Sequence, residues 1–269
     1  MPSGTIPHST PIISATIVDT SVHGRFRRAS HSIVVVVIAV LAFAQAAIAL
    51  QFEPTEFEWA SWPEYCRARY MESAAGRESQ FLGRVDAGLV ANWRARLGAA
   101  WDPLHHYCAG LVITDRARIE PDKRQRENLL RRVIEENRYA LARIPPSHPM
   151  YAEIAARSGL VHRDLGEDDL ALRHLEMAIK ECPKCVVGYQ AMAIFHRGKG
   201  QLAEARRTLE SGDQVTDGKS VEINYFLGLV LLDLKEFPAA QAHARKAYDM
   251  GYPLPGLRDQ LARAGHPLD

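Results

Sequence analysis

The sequence predicts an all-α protein built from antiparallel helix hairpins, and three observations support that prediction. Small residues recur at Gly159, Ala193 and Gly228, which lie 34 and 35 residues apart. Apolar residues between them follow the three- and four-residue steps of amphipathic helices. Glycine and proline interrupt the helical pattern at matching distances. A near-constant interval of this kind indicates repeated units, each packed on its neighbours.

The first predicted element is one apolar helix, residues 33–50, which targets the chain to a membrane. Arginines precede this segment and glutamates follow it, the layout of a segment whose amino end stays inside. Its most apolar part, residues 33–44, has the length of a signal-peptide core, and cleavage is expected after Ala49. The whole segment approaches the length that spans a bilayer, so an uncleaved anchor is the alternative.

Both interpretations predict an extracytoplasmic protein. Residues 1–32 are expected to be a basic, disordered tail, and the chain after residue 50 is expected to be periplasmic or secreted. If residues 33–50 are not cleaved, they anchor it in the inner membrane. A buried core helix is the less favoured interpretation of this segment, because four consecutive valines beside an arginine cluster suit translocation better.

Residues 51–102 are predicted to form a helical cap rich in tryptophan. Ser61 and Glu64 have the spacing of a capping box, which predicts a helix beginning there. A second short helix is expected over residues 86–97, ending at Gly98. The four tryptophans of the chain lie here, at positions 59, 62, 93 and 101. Buried anchors are the favoured role for them, and an aromatic ligand site is the alternative.

Residues 103–148 are predicted to form a degenerate hairpin. Ala140 and Pro145 keep the spacing of Ala178 and Pro183 further along the chain. Gly110 stands where a small residue of a first helix is expected, but the interval from it to Ala140 is long. The additional residues are expected near 115–123, between the two helices.

Residues 149–253 contain three successive repeats, and matching offsets define them. The first places Gly166, Ala171, Leu175, Ala178 and Pro183 after Gly159; the second places Gly200, Ala205, Leu209 and Gly212 after Ala193; the third places Ala240, Ala244 and Ala247 after Gly228. This pattern resembles the tetratricopeptide repeat, which implies a right-handed superhelix of antiparallel hairpins. Small residues at these offsets let helix axes approach closely. Residues 254–269 are then expected to form a capping helix that shields the last repeat.

The resemblance also implies where a partner would bind. In tetratricopeptide proteins the first helix of each repeat lines a concave groove. Carrying those offsets over gives nine groove residues: Arg157, Leu160 and Arg163, then Gln190, Ile194 and Arg197, then Tyr225, Leu229 and Asp233. Three arginines beside a tyrosine and aliphatic side chains suit an extended peptide with an acidic group. A solvated inner rim is the alternative role for the arginines.

Four cysteines allow three disulfide pairings, and sequence alone does not choose among them. In an exported chain we favour Cys66 with Cys108 and Cys182 with Cys185, while buried free thiols remain open. Cys182 and Cys185 also have CxxC spacing. A redox role is disfavoured because a helix, not a strand, precedes them. A zinc site completed by His174 or His196 is a further alternative.

No enzyme motif supports catalysis, and no cofactor is expected. Positive and negative side chains nearly balance, with 33 Lys plus Arg against 32 Asp plus Glu, so nothing in the bulk charge points to nucleic acid. The favoured function is a non-enzymatic scaffold that binds a protein or peptide partner, in envelope or surface-polymer assembly. The alternatives are a periplasmic metal- or thiol-using accessory protein, and a glycan-binding module that uses the tryptophan-rich cap.

Overall fold

The structure, a computed structural model, describes residues 52–268. The predicted all-α class is confirmed for these residues, whose regular structure consists of α-helices and one short 3-10 helix over Gly98–Ala100. In chain order the α-helices are α1 (Glu56–Ser61), α2 (Glu64–Met71), α3 (Ala74–Glu78), α4 (Ala87–Leu97), α5 (Leu104–Ile119), α6 (Lys123–Leu141), α7 (Pro149–Asp164), α8 (Asp168–Glu181), α9 (Val186–Gly198), α10 (Leu202–Val215), α11 (Val221–Asp233), α12 (Phe237–Asp249) and α13 (Gly256–Arg263).

Helices α5 to α12 pair into four consecutive hairpins: α5 with α6, α7 with α8, α9 with α10, and α11 with α12. Each of the last three hairpins also contacts the one before it. The first helices of these three, α7, α9 and α11, touch one another in a row. Burial of one hairpin against the next is what holds such an array together, because a single hairpin cannot cover its own apolar face.

The three last hairpins share one turn geometry. Gly166, Gly200 and Lys235 occupy the same place in each and have positive φ angles of 76°, 72° and 62°. In every case the amide of the next residue donates a 2.9 Å hydrogen bond to the carbonyl five residues earlier. This pattern satisfies carbonyl groups that the end of the first helix leaves open. The repetition of one turn at intervals of 34 and 35 residues shows a true structural repeat.

The small residues at the predicted offsets mark close helix contacts. A Cβ atom added to Gly159 would lie 2.6 Å from Leu175 Cγ and 3.0 Å from the Ala171 carbonyl oxygen. Ala171 and its counterparts Ala205 and Ala240 are all fully buried. Space between the paired helices is therefore set by the backbone and the smallest side chains, as ridge-in-groove packing requires.

The degenerate hairpin differs from its prediction in one respect. Its additional residues were expected between the helices, but the connection from α5 to α6 is only three residues long. The additional length lies in the helices themselves, which have 16 and 19 residues. Asp122 ends the connection by accepting a hydrogen bond from the Gln125 amide at 2.7 Å, which caps α6.

Helices α1 to α4 form the cap, and the predicted capping box there is wrong. Ser61 lies in the last turn of α1, where its hydroxyl bonds to the Phe57 carbonyl, and Pro63 precedes α2. The capping box is formed instead by Thr55 and Glu58 at the start of α1. Helix α4 begins after Asp86 and ends before Gly98, as the sequence indicates.

Two elements close the ends of the array. A disulfide between Cys66 of α2 and Cys108 of α5 ties the cap to the degenerate hairpin, with 5.4 Å between their Cα atoms. At the other end α13 packs on α11 and α12 and buries Leu257 and Leu261 completely. It therefore covers the last repeat, the role expected of residues 254–269.

Within residues 52–268, no helix has the length and apolar character needed to cross a membrane. The predicted tail, residues 1–32, and the predicted targeting helix, residues 33–50, lie outside the described residues. The expectation that they export or anchor the chain stays a prediction.

Candidate partner-binding surface

The face proposed for partner binding is built on the first helices of the three repeats. Arg157, Leu160 and Arg163 lie on α7, Gln190, Ile194 and Arg197 lie on α9, and Tyr225, Leu229 and Asp233 lie on α11. Because α7, α9 and α11 contact one another in order, the structure brings the three sets together along one row.

Each predicted groove arginine already contacts a carboxylate of this chain. Arg157 pairs with Glu153 at 2.7 Å, Arg163 with Asp164 at 2.6 Å, and Arg197 with Asp233 at 2.5 Å. The last pair links α9 to α11. An acidic group on a partner would therefore compete with these carboxylates. Such partly exposed pairs contribute little net stability, about 0–1 kcal/mol each, so the exchange is energetically possible.

Two of the nine predicted groove residues do not offer an open surface. Tyr225 is 7% exposed because its ring stacks on Tyr252, with 3.9 Å between the ring centroids. Leu229 is 5% exposed and belongs to the core around α11 and α12. The segment after α12 folds back over Tyr225, a contact that repeat offsets alone do not reveal. Leu160, Gln190 and Ile194 remain half-buried at the surface.

A chain of polar contacts that the sequence did not suggest joins the degenerate hairpin to this face. The buried Tyr107 hydroxyl donates to Glu153 Oε1 at 2.9 Å, and Arg157 Nε donates to the same oxygen at 2.7 Å. Burial strongly raises the pKa of Tyr107, so the phenol stays protonated. Desolvation opposes the charge of Arg157, yet the adjacent Glu153 carboxylate keeps the pKa of its guanidinium above the usual value.

A small cleft of about 200 Å³ adjoins Arg157 at the cap end of this face. Residues of α1, α5 and α7 line it, and the lining mixes apolar with charged side chains. The side chains that define it are Ser61, Trp62, Leu111, Asp115, Arg118 and Arg157. The candidate face therefore adjoins the cap, which the repeat offsets could not predict because the cap lies outside the repeat.

Three features define the architecture: the repeated turns, the buried small residues and the row of first helices. The fold is a helical repeat. No family model matches the sequence, and no curated protein matches it. Among solved structures, the chain is similar to the MamA RS-1 ArsTM double mutant at 14% identity, over 71% of this chain and 96% of that chain. The TM-score is 0.39, so the assignment rests on the geometry of this chain itself.

The four cysteines form the two disulfides that the sequence analysis favours. Cys182 joins Cys185 across the connection between α8 and α9, in addition to the bond between Cys66 and Cys108. Cys108 is oxidised and 1% exposed, so the nearby His105 imidazole has no thiolate to activate. The imidazole of His105 instead contacts the Asp102 carbonyl oxygen through Nδ1 at 2.7 Å.

A zinc site at Cys182 and Cys185 gains no support from the geometry, because both sulfurs are bonded to each other. Among residues 52–268, no three His, Cys, Asp or Glu side chains are placed to hold a metal ion. The predicted partners His174 and His196 lie on α8 and α9, and His196 Nδ1 contacts Gln201 Oε1 at 2.7 Å.

Three of the four tryptophans are buried in the protein core. Trp59, Trp62 and Trp101 are 6%, 5% and 3% exposed, and the Trp62 indole donates to the Cys108 carbonyl at 3.0 Å. Only Trp93 is half-buried, and its ring lies under the Arg96 guanidinium at 4.1 Å. A glycan platform needs exposed ring faces, so the cap offers little support for that alternative.

Proposed function

We propose that this protein is a non-enzymatic tetratricopeptide scaffold, a right-handed superhelix that binds a protein or peptide partner on its first-helix face. The observation that supports this most is the contact of α7, α9 and α11 in a row, which puts the predicted residues on three adjacent helices. Stacked hairpins of this kind offer such surfaces to extended segments of other proteins.

The residues proposed to bind are those that remain accessible on this face: Arg157, Leu160, Arg163, Gln190, Ile194, Arg197 and Asp233. Apolar side chains alternate there with ion pairs. A partner segment with both acidic and apolar side chains would exchange one carboxylate for another and bury the aliphatic groups. The charged pairs would then fix the register in which the partner binds, and would contribute less to its affinity.

The location we propose is outside the cytoplasm. The structure contains two disulfides. Disulfides are common in proteins of oxidising compartments and rare in cytosolic proteins. The apolar segment over residues 33–50, flanked by arginines and then glutamates, adds a sequence argument for export or anchoring. A role in envelope or surface-polymer assembly follows from this location alone.

An affinity pull-down from the envelope fraction tests the proposal, with the full chain as bait. We expect the double variant Arg163→Ala/Arg197→Ala to lose the partners that the unaltered protein recovers, because both cations leave the binding face. The matched control is Arg207→Ala/Arg263→Ala, which removes two exposed arginines from α10 and α13.

Recovery of the same partners by the groove variant and the unaltered protein would contradict the assignment of the face. Loss of partners by both double variants equally would show that general charge, not this surface, carries the interaction. Tyr225 and Leu229 are unsuitable for the test, because changing a buried side chain measures stability.

A further inference from the structure

A second cleft lies on the side of the second helices. It has a volume of about 340 Å³ and is enclosed by α6, α7 and α8. Half-buried apolar side chains form most of its walls, namely Ile134, Leu141, Tyr151 and Met177, and the polar residues Arg138, Ser158 and His174 also line it. Ligand sites have this character, with apolar walls and a small number of polar groups.

The polar group of interest in this cleft is His174. Its side chain lines the cleft, and its Nδ1 atom is buried without a hydrogen-bond partner. Burial lowers the pKa of His174, and neighbouring His162 and Arg173 lower it further, so the imidazole is neutral at pH 7. A neutral imidazole has one nitrogen that can accept a hydrogen bond, and a buried polar atom left unpaired is costly.

In the third repeat, the histidine at the same position has a hydrogen-bond partner. His243 stands 69 residues after His174, the interval that also separates Gly159 from Gly228. There the Nδ1 atom lies 2.9 Å from the Asn224 side-chain oxygen. The counterpart of Asn224 in the first repeat is Ala155, which has no polar atom to offer. The unpaired nitrogen is thus a specific property of the first repeat.

The walls of the two clefts differ in the same way. The corresponding cleft at His243 has a volume of about 290 Å³ and is lined by Arg206, Glu210 and Asp213. In the first repeat Met177 takes the position held by Lys246 in the third. The first repeat therefore has a mainly apolar cleft with an unpaired histidine, where the third repeat has a more charged cleft with a paired histidine.

We propose that the cleft between α6, α7 and α8 receives one tryptophan or tyrosine side chain of a protein partner. The ring packs on Tyr151 and Met177. Because the Nδ1 atom of His174 is buried, the imidazole turns this atom towards the cleft, where the indole N–H or phenol O–H supplies the hydrogen bond that it lacks. Tryptophan and tyrosine combine a large apolar ring with one donor that needs a partner when buried, and they dominate the energetics of protein interfaces. This inference rests on the proposed function, that the protein binds another protein.

The test is an NMR titration of the full chain with N-acetyl-tryptophanamide, N-acetyl-tyrosinamide and N-acetyl-phenylalaninamide. The readout is the imidazole signal of His174, with the signal of His243 as internal reference. We expect the first two probes to shift the His174 signal while the His243 signal stays in place. The phenylalanine probe lacks the donor and should bind about fivefold more weakly, the effect of one hydrogen bond of about 1 kcal/mol.

Two matched variants check the site. Met177→Lys places in the first repeat the residue that the third repeat has naturally, and it should abolish the shift without unfolding α8. Leu170→Lys makes the same chemical change at an exposed position of α8 outside the cleft, and binding should persist. Circular dichroism confirms that both variants fold.

Equal binding of all three probes, or a His174 signal that none of them moves, would overturn the inference. So would a shift that survives Met177→Lys. These outcomes are distinct from failure of the proposed function, which the pull-down with Arg163 and Arg197 variants decides separately. Partners that depend on those arginines, together with an inert His174, would reject only the cleft.

Discussion

At the scale of single residues, Glu58 shows how one carboxylate joins the cap to the array. Its oxygens accept hydrogen bonds from Arg116 of α5 at 2.6 and 2.8 Å and from the Thr55 amide at 2.7 Å. The hydrogen bond from Arg116 is the main cause that lowers the pKa of Glu58 from 4.5 to about 2; burial opposes this shift. The charged form is therefore favoured in the folded protein.

Replacing Glu58 by Gln should make stability less dependent on pH. Because the folded-state pKa lies below the unfolded value, the stabilisation is fully present above pH 4.5 and is lost as pH falls towards 2. The difference in unfolding free energy should be about 1 kcal/mol at pH 7 after allowance for solvent screening, and should shrink to near zero by about pH 2. Urea unfolding at several pH values measures it.

Glu56→Gln is the matched control for this prediction. Glu56 also pairs with an arginine, Arg84, but the pair lies fully at the surface. Its replacement should leave the pH profile of stability nearly unchanged. A Glu58→Gln profile parallel to that of the unaltered protein would contradict the prediction.

The roles of single residues were harder to predict from the sequence than the helices or the repeat. Two Ser/Thr-x-x-Glu patterns occur six residues apart, at Thr55 and at Ser61, and local spacing does not choose between them. In the structure Thr55 caps α1 with its side chain, whereas α2 begins after Pro63 with no side-chain cap. Tyr225 was misassigned to the open face for a similar reason, since Tyr252 comes from a segment outside the repeat offsets.

At the scale of elements, the turn within each hairpin is the most regular feature. Two repeats use glycine at the position with positive φ, and the third uses Lys235 at φ 62°. Glycine adopts this conformation without steric cost, whereas a side chain there brings Cβ close to the following carbonyl oxygen. The third turn is therefore under more strain than the first two.

Lys235→Gly should stabilise the protein by up to about 1 kcal/mol. The change relieves the strain of the left-handed conformation, and the greater freedom of glycine in the unfolded chain offsets part of that gain. Gly200→Lys is the reverse change in the second repeat and should destabilise by about 1–2 kcal/mol. Urea midpoints of the three proteins give the comparison. A loss of stability in Lys235→Gly would show that the lysine side chain contributes more than its backbone costs.

Elements were predictable where packing is local. The offsets of small residues located α7 to α12 because helix contact within and between neighbouring hairpins depends on side chains a fixed interval apart. The degenerate hairpin was harder to place. Its helices are longer, so their small residues no longer recur at the repeat interval, and the additional length was assigned to the loop.

At the scale of the whole molecule, the described residues form a linear array closed by different elements at its two ends. Each hairpin contacts its sequence neighbours, so damage at one end should spread only part of the way along the array. Helix α13 is the cover at one end, and Leu257 and Leu261 are the side chains that seal it.

Leu261→Ala should remove about 2–5 kcal/mol of packing free energy at that end, as for other fully buried leucines. We expect amide protons of α11 to α13 to exchange faster, while those of α5 to α8 keep their protection. Hydrogen–deuterium exchange with mass spectrometry resolves the two regions. Leu254→Ala, at a position 58% exposed, is the control. Uniform loss of protection along the chain would instead indicate a single cooperative unit.

The link between Cys66 and Cys108 has a consequence for the order in which the protein matures. Cys66 and Cys108 are 0% and 1% exposed, and they belong to the same buried cluster as Trp62. Thiol exchange requires direct approach of a reagent to sulfur. An oxidant or a reductant therefore reaches this pair only while the cap is open. The half-buried pair at Cys182 and Cys185 stays open to exchange in the mature protein.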